Sequence, residues 1–401
     1  MARRVLIAGG GIGGLAAALA CSRAGWGVHL MERSAEFAEV GAGIQLGPNV
    51  VRVLHGWGLR PALSAVAAFP ERLQVRNAKS GIALAEMPMG QGMTQRYGAP
   101  YATVHRADLQ QLLLAAVLQG GDVALQVNCE VLAYAATESA VSAQTRRGAT
   151  VEGEALVGAD GLWSRVRQQL LDDGIPRVTG HLAYRALLPQ GSLPRHLRSN
   201  QVTAWLGPGL HLVQYPVRGG EWLNVVGIVR GQAPGDLQSW DHSTNAADLR
   251  AALAGMCPAL TALVEAIPQW RLWALCDRPP MQGAQQQAQG LVALLGDAAH
   301  PMRPYLAQGA GMAIEDAACL GRSLGEAEDT STAVVEALRR YAMERWQRNA
   351  RVQARSIRNG EIFHASGLLH GSTSNGSQRV GSGSPVTATA QTDLFAMSGL
   401  A

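Results

Sequence analysis

Three glycines set at fixed intervals behind an apolar run constrain this chain more than any other feature. Val5-Leu-Ile-Ala8 reads as a buried strand, Gly9, Gly11 and Gly14 follow, and Leu15-Ala-Ala-Ala-Leu-Ala20 continues as a helix. The spacing Gly-x-Gly-x-x-Gly lets the backbone approach a pyrophosphate and rests it on the amides of a helix N-terminus. Val28-His-Leu-Met31 reads as a second strand, and Glu32 at its end is suited to bond a ribose 2′-hydroxyl. Strand, glycines, helix, strand and acid in that order predict a dinucleotide on a doubly wound parallel sheet. They leave open whether that dinucleotide carries a flavin or a nicotinamide.

The chain has 401 residues, enough for two domains with full cores. An apolar content of 47% with 16% charged residues is that of an ordinary globular protein. A formal net charge of +4 gives no bulk electrostatic case for a nucleic-acid partner. The five cysteines are scattered, odd in number and without a C-x-x-C pair, which argues against disulfides or a bound metal and for a reducing compartment. Arg3-Arg4 before an apolar stretch superficially resembles a secretory signal. The glycine density is wrong for one, and cleavage would remove the first strand. The expectation is a cytoplasmic protein with no membrane span.

Further along, Gly41 to Asn49 reads as a glycine-rich loop, with Pro48 opening a short helix. Leu73–Arg76 and Ile82–Glu86 read as a hairpin, and Arg106–Gln119 as a helix that stops at Gly120-Gly121. Short strands follow around Val123, Val131 and Val141. From about Tyr184 to Arg278 the pattern becomes antiparallel β with a helical insert. A buried strand returns at Gly290–Leu295, a helix starts near Gly309, and a long helix spans about Thr332 to Ile362. Residues beyond about Ser366 are rich in Ser, Gly, Thr and Asn and read as a disordered tail.

This order predicts an α/β fold, with a Rossmann-like nucleotide domain assembled from residues 1–72, 100–178 and 285–330. A β-rich substrate domain, residues 73–99 and 179–284, is inserted into it. A C-terminal helix (331–365) and the tail (366–401) complete the chain.

Two motifs on distant segments bear on the guest. Val157-Gly-Ala-Asp160-Gly161-Leu-Trp-Ser164-Arg165-Val-Arg167 reads as strand, turn and helix start, with Ser164 as a cap and the arginines as anion contacts. In Leu295-Gly-Asp297-Ala-Ala-His-Pro301 a carboxylate follows a buried strand, at the sheet edge where ligands of open α/β sheets bind. Gly309-Ala310-Gly311 then place amides at a helix N-terminus, able to stabilise negative charge. Glu315 and Asp316 on that helix read as packing and surface polarity.

Taken together, these motifs resemble the class A flavoprotein aromatic hydroxylases over roughly residues 3–365, and most of all their salicylate hydroxylase group, which includes hydroxybenzoate and hydroxynicotinate monooxygenases. The resemblance implies non-covalent FAD, with Gly9, Gly11, Gly13 and Gly14 at its pyrophosphate, Glu32 and Arg33 at the adenosine end, and Arg106 at its middle. It places Asp160 in FAD and NAD(P)H handling, Asp297 on the ribityl chain, and Gln45, Pro301, Gly309 and Ala310 beside the flavin ring. It implies hydroxylation of a small phenolic, salicylate-like acid, using O2 and either NADH or NADPH, through a flavin hydroperoxide, in a monomer or homodimer.

Such a reaction is helped by a base that converts phenol to phenolate, and histidine is the natural candidate. His211, Val213 and Tyr215 share one face of a strand by its two-residue period, so His211 and Tyr215 are the expected catalytic pair. Arg185 and Arg303 are candidates for a carboxylate anchor, and Tyr305 for the pocket wall. Arg345, Arg348, Arg351, Arg355 and Arg358 form a basic stripe, read as a solvated helix face. An NAD(P)-dependent dehydrogenase on the same fold, and a flavin-binding interaction protein working through that stripe, are the alternatives.

Overall fold

The computed structural model describes residues 3–37, 42–233, 235–237, 242–244 and 246–364. The tail read as disordered lies outside these residues. Two large sheets dominate. The first has six strands in the order Ala288–Gln289, Val292–Leu294, Ala155–Gly158, Arg4–Ala8, Gly27–Met31, Val123–Gln126. All its pairings are parallel except the edge strand Ala288–Gln289, and Val5 lies between Ala155 and Val28. Strands from three distant stretches of chain therefore form one sheet.

The helix Ile12–Arg23 is buried along its length, from Leu15 to Cys21 without a break. It lies between the sheet and the helix Gly309–Gly325, which explains its alanine-rich, non-amphipathic sequence. A Cβ at Gly321 would lie 2.8 Å from Ala20 Cβ, so only small residues permit this helix crossing. Gly9 has φ +105°, and a Cβ there would lie 2.4 Å from the Ala159 carbonyl oxygen. A Cβ at Gly14 would lie 1.9 Å from the Gly9 carbonyl oxygen. The fingerprint glycines thus fix the approach of helix to strand before any ligand arrives.

The second sheet has eight strands, in the order His242–Thr244, Trp270–Asp277, Arg177–Pro189, Trp222–Arg230, Leu210–Val217, Val202–Gly207, Arg72–Asn77, Ala83–Pro88. It is antiparallel apart from the pairing of Val202–Gly207 with Arg72–Asn77. The hairpin read at 73–86 is its far edge. Its strand at 177–189 starts seven residues before the expected change of character at Tyr184, and carries a register shift between Val178 and Leu182. Gly43–Leu46, expected as loop, is a short strand paired with Ala102–His105. That pairing carries Gln45 towards the second sheet. The helix Ser331–Phe363 runs 33 residues. None of the described helices is long and apolar enough to cross a membrane.

Candidate active site

Two cavities adjoin and share Arg106, Trp163, Arg185 and Trp273. The larger, about 490 Å³, lies at the carboxyl ends of the parallel strands and is lined by Gly9, Gly11, Glu32, Arg33, Arg106 and Asp160. The smaller, about 200 Å³, is bounded by Gln45, His211, Tyr215, Asp297, Pro301 and the Gly309-Ala310 helix start. Residues spread from 9 to 310 thus converge on one elongated cleft.

At the large end, the helix beginning at Ile12 has no side chain capping it, so its first amides face the cleft without an intrahelical partner. A pyrophosphate fits that cradle. The Glu32 carboxylate accepts from the amides of Gly10 (2.6 Å) and Ser34 (2.8 Å), which hold it at the strand end. Gly13 and Gly14 do not line the cleft. A Cβ at Gly13 would meet Leu295 Cδ2 at 2.9 Å, so this glycine serves helix packing, as Gly14 serves the strand approach.

Asp160 is capped into its own turn. It accepts from the Ser164 hydroxyl and from the amides of Arg165 (2.8 Å) and Val166 (3.3 Å), while Ser164 Oγ accepts from the Arg167 amide (2.9 Å). Burial pushes the Asp160 carboxyl up against these bonds. Arg165 faces the cleft, but Arg167 does not meet the anion contact expected of it. Its buried guanidinium donates to the carbonyls of Ala298 (3.0 Å) and Ala299 (2.6 Å) and pairs with Asp173 (2.6 Å). It ties the Asp160-Gly161 turn to the Gly296-Asp297 loop.

The small cavity is where strand periodicity is informative. His211, Val213 and Tyr215 all line it, and each is at least nine-tenths buried. Neither ring nitrogen of His211 has a hydrogen-bond partner, and two unpaired polar atoms in a buried wall are open to a ligand. Burial first, then His364, lowers the His211 pKa to about 3. The base expected at His211 is therefore a neutral imidazole with low basicity. Burial pushes the Tyr215 phenol upward, so it remains a donor.

Gly43 is required here, because a Cβ would lie 2.6 Å from Tyr215 Cε2. Its amide donates to Asn224 Oδ1 (2.6 Å). Asn224 sits opposite Tyr215 in the sheet and is fully buried. Sequence reading missed it; the only signal is a lone amide inside the apolar run Trp222 to Val229. Gln45 accepts from the Tyr101 hydroxyl (2.6 Å).

Of the anchor candidates, Arg303 is paired with Asp277 at 2.6 Å. Arg185 lies 3.3 Å from the Trp273 ring centre. Tyr305 does not reach the cavity wall. It packs behind His211, with ring centres 5.7 Å apart, in space that Gly360 leaves open.

The C-terminal helix corrects two expectations. Arg345 is 6% exposed and pairs with Glu315 (2.9 Å) and Asp316 (2.8 Å), while Arg348 pairs with Glu315 (2.7 Å). Of the stripe, Arg351 and Arg358 are exposed, and Arg348 and Arg355 are half-buried. Asp316 is wholly buried, not surface polarity, and gathers His300 Nε2, Arg345 Nε, Asn349 Nδ2 (3.0 Å) and the Gly296 amide (3.3 Å). Below it, Gln353 donates to the carbonyls of Arg278 (2.8 Å) and Pro301 (3.1 Å), and Ser356 to that of Arg303. Tyr341, Arg345, Asn349, Gln353 and Ser356 recur every three or four residues. One buried polar stripe of the helix thus holds the loop that carries Asp297 and Pro301.

The family model described as "FAD binding domain" matches residues 2–356. The chain is 39% identical to 3-hydroxybenzoate 6-hydroxylase 1 of Aquipseudomonas alcaligenes, over 92% of this chain and 91% of that one. It is 38% identical to 6-hydroxynicotinate 3-monooxygenase of Bordetella bronchiseptica, over 87% and 89%. A salicylate hydroxylase substrate complex superposes with a TM-score of 0.78 at 26% identity, covering 92% of this chain and 91% of that one. These likenesses displace the dehydrogenase and interaction-protein alternatives, and the ion pairs of Arg345 and Arg348 take two of the five arginines out of the basic face on which the latter rested. The chain belongs to the FAD binding domain family and is an FAD-dependent aromatic hydroxylase.

Proposed function

We propose that this enzyme hydroxylates a small phenolic aromatic acid, salicylate-like or a hydroxybenzoate, with NADH or NADPH and O2, as a cytoplasmic monomer or homodimer. One observation carries the reading. A buried His211 with two unpartnered nitrogens and the Tyr215 phenol line the same 200 Å³ cavity as Pro301 and Asp297. FAD, when bound, supplies the ring that accepts hydride and activates oxygen.

The chain's own groups then divide the work. The uncapped amides at the start of the helix beginning at Ile12 would hold the pyrophosphate, Glu32 and Arg33 the adenosine end, Arg106 the middle, and Asp297 the ribityl chain. Gly309 and Ala310, at a helix start lining the smaller cavity, would stabilise negative charge on the flavin ring. His211, neutral through burial, accepts the hydrogen bond of the substrate phenol and draws its proton toward nitrogen. This makes the aromatic ring more electron-rich at the carbon to be attacked. The Tyr215 hydroxyl donates to the substrate from the same strand face. Buried Val213 between them excludes water.

The relatives' names include both hydroxybenzoates and a hydroxynicotinate, so hydroxypyridine acids are the second substrate class to test. The test is NADH and NADPH oxidation across a panel of hydroxybenzoates and hydroxypyridines, with products identified. A phenolic acid that stimulates oxidation and leaves as its hydroxylated product supports the proposal. Oxidation that yields only hydrogen peroxide with every phenolic acid overturns it.

A further inference from the structure

The face of the eight-stranded sheet opposite His211 carries a second cavity, about 180 Å³, close in size to the substrate cavity. Cross-strand pairing of Arg76 with Trp205, Gln74 with Thr203, and Thr203 with Gln214 puts these side chains on one face. Gln214 lies between Val213 and Tyr215 in sequence and points away from them, as the strand period requires.

Three buried polar atoms around this cavity have no partner: Arg76 Nε, Trp205 Nε1 and Gln214 Oε1. Trp205 is 4% exposed and Gln214 8%. An unpaired buried polar group is destabilising, so three at one cavity call for a polar guest. The charge decides its sign. Arg76 lies over the Trp205 ring at 5.3 Å and forms no ion pair among the described residues. Arg198 adds a second cation, and no carboxylate lines the cavity. The unpaired atoms are two donors and one acceptor, which matches a carboxylate together with a hydroxyl. Leu197 and Leu263 supply an apolar wall for the body between them.

We propose that this cavity is a second binding site, for a small aromatic hydroxycarboxylate, on the reverse of the strand that carries His211 and Tyr215. The carboxylate accepts from Arg76 and Trp205, and the ligand hydroxyl donates to Gln214. The site stands whether or not the substrate assignment above is right, because it is read from different residues.

The test is a fluorine NMR titration of the oxidised, FAD-loaded full chain with 5-fluorosalicylate, without reductant, comparing wild type with Arg76→Gln. One bound equivalent fewer in R76Q supports the site, whatever total the wild type shows. Equal stoichiometry and affinities in both proteins overturn it and leave the cavity to water. If R76Q does not retain FAD, Gln214→Leu is read instead. It removes the acceptor, keeps the bulk, and must weaken one equivalent at least tenfold; an unchanged titration again overturns the site.

Discussion

Replacing Asp316 with Asn isolates the hub that holds the active-site loop. The substitution keeps the size of the side chain and removes its charge from between His300 and Arg345. Two routes give the magnitude. Burial alone pushes the Asp316 carboxyl up, yet the charges of His300 and Arg345 and their hydrogen bonds outweigh burial and hold it at about 2, below its ordinary 3.8. At about 1.4 kcal/mol per unit, that difference corresponds to roughly 2–3 kcal/mol of stability at neutral pH. Breaking a buried pair by removing one partner costs about 3–5 kcal/mol. Arg345 keeps Glu315 at 2.9 Å, which favours the lower figure. A loss of about 3 kcal/mol, set against an unfolding entropy of roughly 2 cal/mol/K per residue, lowers Tm by about 4 °C. The assay is thermal melting of the apoprotein beside an FAD titration. The account expects a lower Tm together with FAD affinity reduced about tenfold or more, because Gly296 loses its anchor. An apoprotein melting within 1 °C of wild type with unchanged FAD affinity would refute the reasoning.

Three further outcomes are expected. His211→Ala should lower kcat for hydroxylation at neutral pH by about 100-fold or more while FAD binding is retained; undiminished turnover would remove His211 from the chemistry. Because burial lowers His211 to about 3 and His364 to about 4, the unfolded chain binds protons near pH 6.5 that the native state refuses. Their contribution is complete above pH 6.5 and is lost as the pH falls toward these values, by about 2 kcal/mol for His211 between pH 7 and 5. Chemical denaturation at the two pH values should show that loss, and it should shrink in His211→Asn. Gly14→Ala places a methyl 1.9 Å from the Gly9 carbonyl oxygen, and the forced shift should cost about 1–3 kcal/mol and most of the FAD affinity. Wild-type FAD content in that variant would contradict the packing role.

Much of this architecture is legible in sequence because it is written locally. The fingerprint glycines, the Asp160-Gly161 turn and the Gly296-Asp297 loop each depend on backbone geometry within a few residues. A two-residue strand period suffices to set His211 beside Tyr215. What stays hidden depends on partners far along the chain. Arg345 looks like surface charge until Asp316, 29 residues earlier, is brought against it. Arg167 resembles an anion contact until the carbonyls of Ala298 and Ala299 arrive. Asn224 carries no periodic signal, being a single polar residue matched to one backbone amide, and the helical spacing of Gln353 does not tell which two carbonyls it meets. The low basicity of His211 likewise follows from burial among Tyr305, Phe363 and His364, which no local pattern encodes.

The central claim is that the cavity bounded by His211, Tyr215 and Pro301 transfers oxygen to a phenolic acid. Turnover under ¹⁸O₂ with NADH or NADPH and the best acid of the panel tests it directly, by mass spectrometry of the product. The account predicts a hydroxylated aromatic carrying one ¹⁸O atom. A product labelled only from water, or label recovered solely in hydrogen peroxide with every phenolic acid, would contradict it.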